Sequence, residues 1–370
     1  MRAEPTHTES GPLAGLRVLQ LGGIGPVPFA ATLMADAGAD VVRVDRPGDA
    51  QDWTSVLERG RRFVVLDLKS REGRLRAFEL ATSADVLLEG FRPGVLERIG
   101  LAPDTLLAAR PSLVIGRMTG YGQTGPLSQE PGHDINYIAL AGALGAIGPA
   151  GGPPVPPLNL VGDFGGGAML LLFGVLSAVL HARTSGRGQV VDAAMTDGSI
   201  ALMGIFQWMR AQGRWSAPRG GNWLDGGAPW YGCYRCSDGR WLAVGAVESP
   251  FYRAFIEGLG LAGDTLLANQ HDVALWSSQR QRIADVVASR TRDAWCTHFA
   301  GRDACVSPVL DLGEVAAHPH NAARGALVQT PGGPQPAAVP RFSLTPARAG
   351  DQAPAAASDP EAVRRSWASR

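Results

Sequence analysis

An α/β fold, with a Rossmann-like large domain and a smaller α+β domain, is what this sequence predicts, on three observations. Between residues 16 and 118, short runs rich in Val, Leu and Ile alternate with helical stretches, the pattern of a parallel sheet with helical crossovers. Residues 231–302 open with two short β-rich runs flanking Ser237-Asp238-Gly239 and continue as helices. Between these regions, residues 213–230 are rich in Gly, Trp and Pro, which marks a linker or a crossing loop.

Taken in order, residues 16–21 (LRVLQL) predict a strand and 28–36 a helix. Residues 41–45 and 63–68 predict two more strands, with a helix at 71–84, a strand at 85–90, a helix at 94–99 and a strand at 112–118. An apolar buried helix follows at 168–182, then a strand at 189–195 and a long helix to about Gln212. Past Pro308 the chain reads as loop, with PGGPQPAAVPRFS and APAAASDP near the end. The expected division is a large α/β domain at 1–195, a connector at 196–230, a small domain at 231–305 and a return segment at 306–370.

Composition narrows the function. The chain has 370 residues, 45% hydrophobic and 18% charged, with formal net charge +0. It can bury a sizeable core, and nothing in that balance predicts a nucleic-acid or membrane-surface partner. The N-terminal MRAEPTHTESGP has no apolar signal core. The apolar run 168–180 reads as about a dozen residues, too short for a bilayer. These features predict a cytoplasmic protein with reduced thiols. Cys233 and Cys236 form a lone CxxC without a convincing second half, so no metal is expected.

Two stretches carry the chemistry. Gly23-Ile24-Gly25 follows the first strand and Asp45 ends the second, which imitates a dinucleotide fingerprint. Pro26 and Pro28 intrude where glycine and free amides are required, so a nicotinamide cofactor is not expected. The second stretch, residues 132–167, places His133 and Asp134 at one end and Asp163 at the other, with no charge between Asp134 and Asp163. Ionisable groups bordering an uncharged, glycine-rich segment suit proton transfer, because desolvation there tunes their proton affinity. Asp163 is also a suitable helix cap before the apolar run, and Asp134 reads equally as a cap or as a supporting partner.

Six segments in order resemble the family III CoA-transferases, and within them the α-methylacyl-CoA racemases: DLKS (67–70), EGFRPGVLERIGL (89–101), RMTGYGQTGP (117–126), GHDINY (132–137), LVGDFGGG (160–167) and SGRGQVVDAAMTDG (185–198). The resemblance implies a large domain built from both chain ends, a small domain, and an interlocked homodimer whose active site joins one subunit's large domain to the other's small domain. It implies racemisation of 2-methylacyl-CoA thioesters, with His133 and Asp163 as the two bases and Glu248 as the histidine's partner. It implies CoA contacts from Arg46, Leu66, Asp67, Leu68, Lys69, Gly90, Phe91, Arg92, Arg98, Gly132, Asp134, Ile135, Asn136 and Tyr137. No cofactor is expected beyond the CoA of the substrate. Glycines 165–167 are expected to open a helix and to let backbone amides approach the thioester oxygen. The alternative within the family is a CoA-transferase, with Asp163 as the nucleophile that forms an aspartyl-CoA intermediate. His133 favours the racemase, because an anhydride mechanism has no use for a second base.

Overall fold

A computed structural model describes residues 11–48, 56–215, 218–330, 332–351, 354 and 356–368. The chain forms two compact units, one of Met1–Ala141, Leu158–Met203 and Pro319–Arg370, the other of Gly142–Pro157 and Gly204–His318.

The first unit holds a six-stranded parallel sheet in the order β3-β2-β1-β4-β5-β6. Its strands are β1 (Arg17–Leu21), β2 (Asp40–Asp45), β3 (Arg62–Val65), β4 (Val86–Glu89), β5 (Val114–Thr119) and β6 (Val190–Ala194). Helices α1 (Pro26–Asp36), α2 (Arg71–Ser83), α3 (Val95–Arg98), α4 (Pro103–Ala109) and α5 (Asp134–Leu140) intervene. This is the doubly wound arrangement that the alternating pattern predicts. Both faces of the sheet are covered, so the strands are apolar throughout rather than alternating with polar residues. Val86 and Leu88 of β4 enter the core that contains α1, while Leu87 between them enters the core that contains α2. The strand order reverses between β1 and β4, which leaves a crevice at their carboxyl ends.

Two predicted elements differ. The buried helix begins earlier than expected: a π-helix, Leu160–Met169, runs directly into an α-helix, Leu170–Ser185. At 26 residues, Leu160–Ser185 is long and apolar enough to cross a membrane, so the length argument from the sequence does not hold. Leu171, Val175 and Ala178 of this helix face the sheet core, whereas Met169, Leu170, Phe173 and Leu180 are exposed. The helix expected to continue to residue 212 breaks at Met203 into Met195–Leu202 and Gly204–Ala211.

The C-terminal region is more ordered than its composition suggests. Leu327–Thr330 and Gly333–Pro336 pair as an antiparallel hairpin. Helix Pro360–Ala368 packs on α2, with Val363 and Trp367 fully buried. The Trp367 indole donates to Asp40 Oδ2 at 2.9 Å. The large domain thus draws on both ends of the chain.

The second unit has an antiparallel sheet in the order β7-β8-β9, from Tyr231–Arg235, Trp241–Gly245 and Val306–Pro308. Helices Ser249–Gly258, Trp276–Val287 and Arg292–Phe299 cover it around Trp230, Phe255, Trp276, Ile283 and Trp295. The Gly/Trp/Pro-rich segment is not a free connector. Ala228 and Trp230 are buried in this core, and the Asp225 carboxylate accepts hydrogen bonds from the backbone of Gly220, Asn222 and Gly227.

Candidate active site

A cavity of about 950 Å³ opens in the first unit, walled by the loops that follow β1, β2, β4 and β5. His133 and Asp163 both line it. Its position is the crevice that the strand order dictates.

The β1 and β4 loops meet through glycine. A Cβ on Gly90 would lie 2.8 Å from the Gly23 Cα, so nothing larger fits there. Glu89, fully buried at the end of β4, accepts the Phe91 N–H at 2.7 Å and pairs with Arg117 at 2.6 Å. Burial pushes its carboxyl above the ordinary range. The pair anchors the Gly90–Phe91–Arg92 loop from below.

His133 is exposed at the N-cap of α5, and its N–H is accepted by Asn136 Oδ1 at 3.1 Å. Asp134, beside it, points inward. Its Oδ2 accepts the Asp163 N–H at 2.8 Å, and its Oδ1 is buried without a partner among the described residues. Tyr137 is buried one turn on, with its hydroxyl donating to the Gly132 carbonyl and its ring edge-on to Tyr121 at 5.0 Å. Desolvation, Tyr121 and Asp163 push its hydroxyl up to about 12.

Asp163 sits half-buried in the first turn of the π-helix. Its Oδ2 accepts from Asn159 Nδ2 at 3.1 Å, and a Cβ on Gly25 would lie 2.9 Å from the same oxygen. Burial raises the carboxyl above the usual carboxylate range, and the Asp134 charge adds to this. The Asn159 hydrogen bond and His133 act in the opposite direction.

The glycines after Asp163 have a different task from the one expected. They lie inside the π-helix rather than opening a helix. A Cβ on Gly166 would meet the Ser199 backbone N at 2.6 Å. Their absent side chains let the π-helix approach helix Met195–Leu202.

Of the residues expected to contact CoA, Arg46, Leu66, Leu68, Gly90, Phe91, Arg92, Gly132, Asn136 and Tyr137 line the cavity. Asp67, Lys69, Arg98, Asp134 and Ile135 are not among its lining residues. Asp67 instead accepts the Lys69 N–H at 3.0 Å as part of the turn into α2, and Lys69, Arg98 and Ile135 are exposed. Glu248 belongs to the second unit, where it is the exposed N-cap of Ser249–Gly258. The Gly22–Gly23–Ile24 loop, which the sequence offers only as an imitation of a dinucleotide fingerprint, also lines the cavity, as do Tyr121 and a buried charge group that no sequence pattern announced. In that group Arg43 pairs with Asp45 at 2.5 Å and with Glu58 at 2.6 Å. The sequence reading also missed Asn159. It lies four residues before Asp163 but outside the helix expected at 168–182, so no local pattern pointed to it.

Chemically, the cavity offers an exposed imidazole and a carboxylate with raised proton affinity, beside a loop that carries Arg92. That is an arrangement for moving protons on an anionic ligand.

Comparison with known proteins agrees with this reading. The chain is 44% identical to the α-methylacyl-CoA racemase of Mus musculus over 90% of its length and 87% of that protein's. It is also 44% identical to the racemase of Homo sapiens, over 90% of each. A solved structure of a CaiB/BaiF family protein from Brucella suis superposes with a TM-score of 0.83 over 97% of this chain and 100% of that one; at 24% identity it speaks for the fold alone. The model of CoA-transferase family III matches residues 13–359, and the chain belongs to that family.

Proposed function

We propose that this protein is an α-methylacyl-CoA racemase that interconverts the (R) and (S) forms of 2-methylacyl-CoA thioesters. The observation that carries the reading is the opening of His133 and Asp163 onto one cavity, in a chain 44% identical to racemases. The α-hydrogen of a thioester is weakly acidic, and its removal leaves an enolate. Inversion needs one base on each face of that carbon. His133, which lines the cavity, serves one face, since an imidazole nitrogen takes up a proton and gives it back. Asp163 serves the other, because burial raises the proton affinity of its carboxyl above that of an ordinary carboxylate.

Arg46 and Arg92, on the cavity wall, suit the phosphates of CoA by charge and by their ability to bind two oxygens. Lys69 and Arg98 belong to the proposal as surface charges outside that wall. Glu248 keeps the role that the resemblance gives it, and Glu248→Gln tests that role through kcat. The proposal also includes a homodimer, no cofactor beyond the CoA of the substrate, and a cytoplasmic setting.

The test is incubation with an (S)-2-methylacyl-CoA in deuterated water without any acceptor acid. The racemase reading predicts deuterium at C2 and loss of optical purity. No exchange, together with CoA transfer once a carboxylic acid is supplied, would replace it with the transferase reading.

A further inference from the structure

Two neighbours hold Asp163, and one of them has no task in the two-base reading. Asp134, from α5, fixes the Asp163 backbone N–H. Asn159 reaches the carboxylate itself, at Oδ2. The same oxygen lies where a side chain on Gly25, the N-cap of α1, would have to go, since a Cβ there would come within 2.9 Å of it. Among the described residues Oδ1 takes no hydrogen bond, while Asp163 lines the cavity. Asn159 is the N-cap of the π-helix, and Leu158 before it is held at φ 58. A leucine enters that left-handed region only where its surroundings impose it. The turn it makes starts the helix at Asn159 and so sets the amide one turn before Asp163.

We propose that Asn159 is a positioning residue for Asp163: its amide fixes Oδ2 against Gly25 and leaves Oδ1 as the oxygen that exchanges the α-proton. The chemical role rests on the racemase reading; the geometry does not. A carboxylate only accepts hydrogen bonds, so the nitrogen of the Asn159 amide must face it. In the step concerned, the proton passes from C2 to Oδ1 and the C–H electron pair remains as the enolate. His133 returns a proton to the opposite face. The groups facing Asp163 are Asp134 and Tyr137 of α5 and His133 at its N-cap, with Asn159 at the N-cap of its own helix. Of these, Asn159 and His133 stabilise the ionised form and Asp134 opposes it.

The test reads the carboxyl directly. Protein labelled with ¹³C-aspartate is titrated by NMR, with Asp163→Asn identifying the Asp163 resonance. Asn159→Leu, which keeps the bulk and loses the donor, is expected to move the midpoint upward by about one pH unit. Asn159→Ser, whose side chain falls short of the carboxylate, is expected to move it the same way and decides the matter if the leucine variant does not fold. The acid limb of kcat/KM for a 2-methylacyl-CoA should shift by the same amount. A midpoint that stays in place overturns the proposal even if activity falls, because a merely structural loss lowers the rate without moving the titration. A wild-type protein that fails to racemise defeats the racemase reading, and the NMR titration still decides the part of Asn159.

Discussion

Asp163 is stabilised for chemistry at a cost to the fold. Its carboxyl is raised in the folded protein, chiefly by burial, so the folded state favours the neutral form. The sign follows: above its raised folded value the ionised group disfavours folding, and this penalty disappears as pH falls to the unfolded value of about 3.9. Asp163→Asn should therefore raise Tm at pH 7, and the gain over wild type should shrink as pH is lowered toward 4. A constant gain across that range would contradict the assignment. Gly25 tests the other side of the same carboxylate. It has φ 71, and a Cβ there would lie 2.9 Å from Asp163 Oδ2. Gly25→Ala should lower kcat about ten- to a hundredfold by displacing the carboxylate, with a smaller effect on KM.

At the level of elements, the C-terminal helix supplies a prediction that the composition hides. Trp367 is fully buried, donates its indole N–H to Asp40 and, through its carbonyl, accepts from Arg17 at 2.7 Å. Trp367→Ala should destabilise the first unit by about 3–5 kcal/mol, measurable by urea unfolding. The strands were legible in the sequence because burial on both faces makes each one a continuous apolar run, as Val86, Leu87 and Leu88 illustrate. The C-terminal helix was not legible, since only Val363 and Trp367 supply its buried face and Pro/Ala-rich chain precedes it. The π-helix was obscured for a related reason. Gly165–Gly166–Gly167 argue locally against helix, and the close approach of Leu202, Ser199 and Met195 explains them. The site was legible where charge interrupts an apolar segment, at His133 and Asp163. It was not legible at Asn159 or in the Gly22–Gly23–Ile24 loop, whose role depends on strand order rather than on local pattern.

At the scale of the whole molecule, the long helix leaves Met169, Leu170, Phe173 and Leu180 exposed on one side, spaced at helical period. Exposed apolar stripes of this kind mark interfaces, which supports the proposed homodimer. Phe173→Asp should weaken self-association, read as a shift toward monomer in sedimentation velocity, while wild type sediments as a dimer. A wild-type monomer would remove that part of the account.

The central claim is that His133 and Asp163 work on opposite faces of one carbon. Hydrogen exchange at C2 in deuterated water, measured separately from (R)- and (S)-2-methylacyl-CoA with His133→Ala and Asp163→Asn, tests it most directly. The account predicts that neither variant inverts the centre, that each retains exchange from one enantiomer only, and that the two variants retain it from opposite enantiomers. Exchange from both enantiomers in either variant, or wild-type racemisation in His133→Ala, would contradict it.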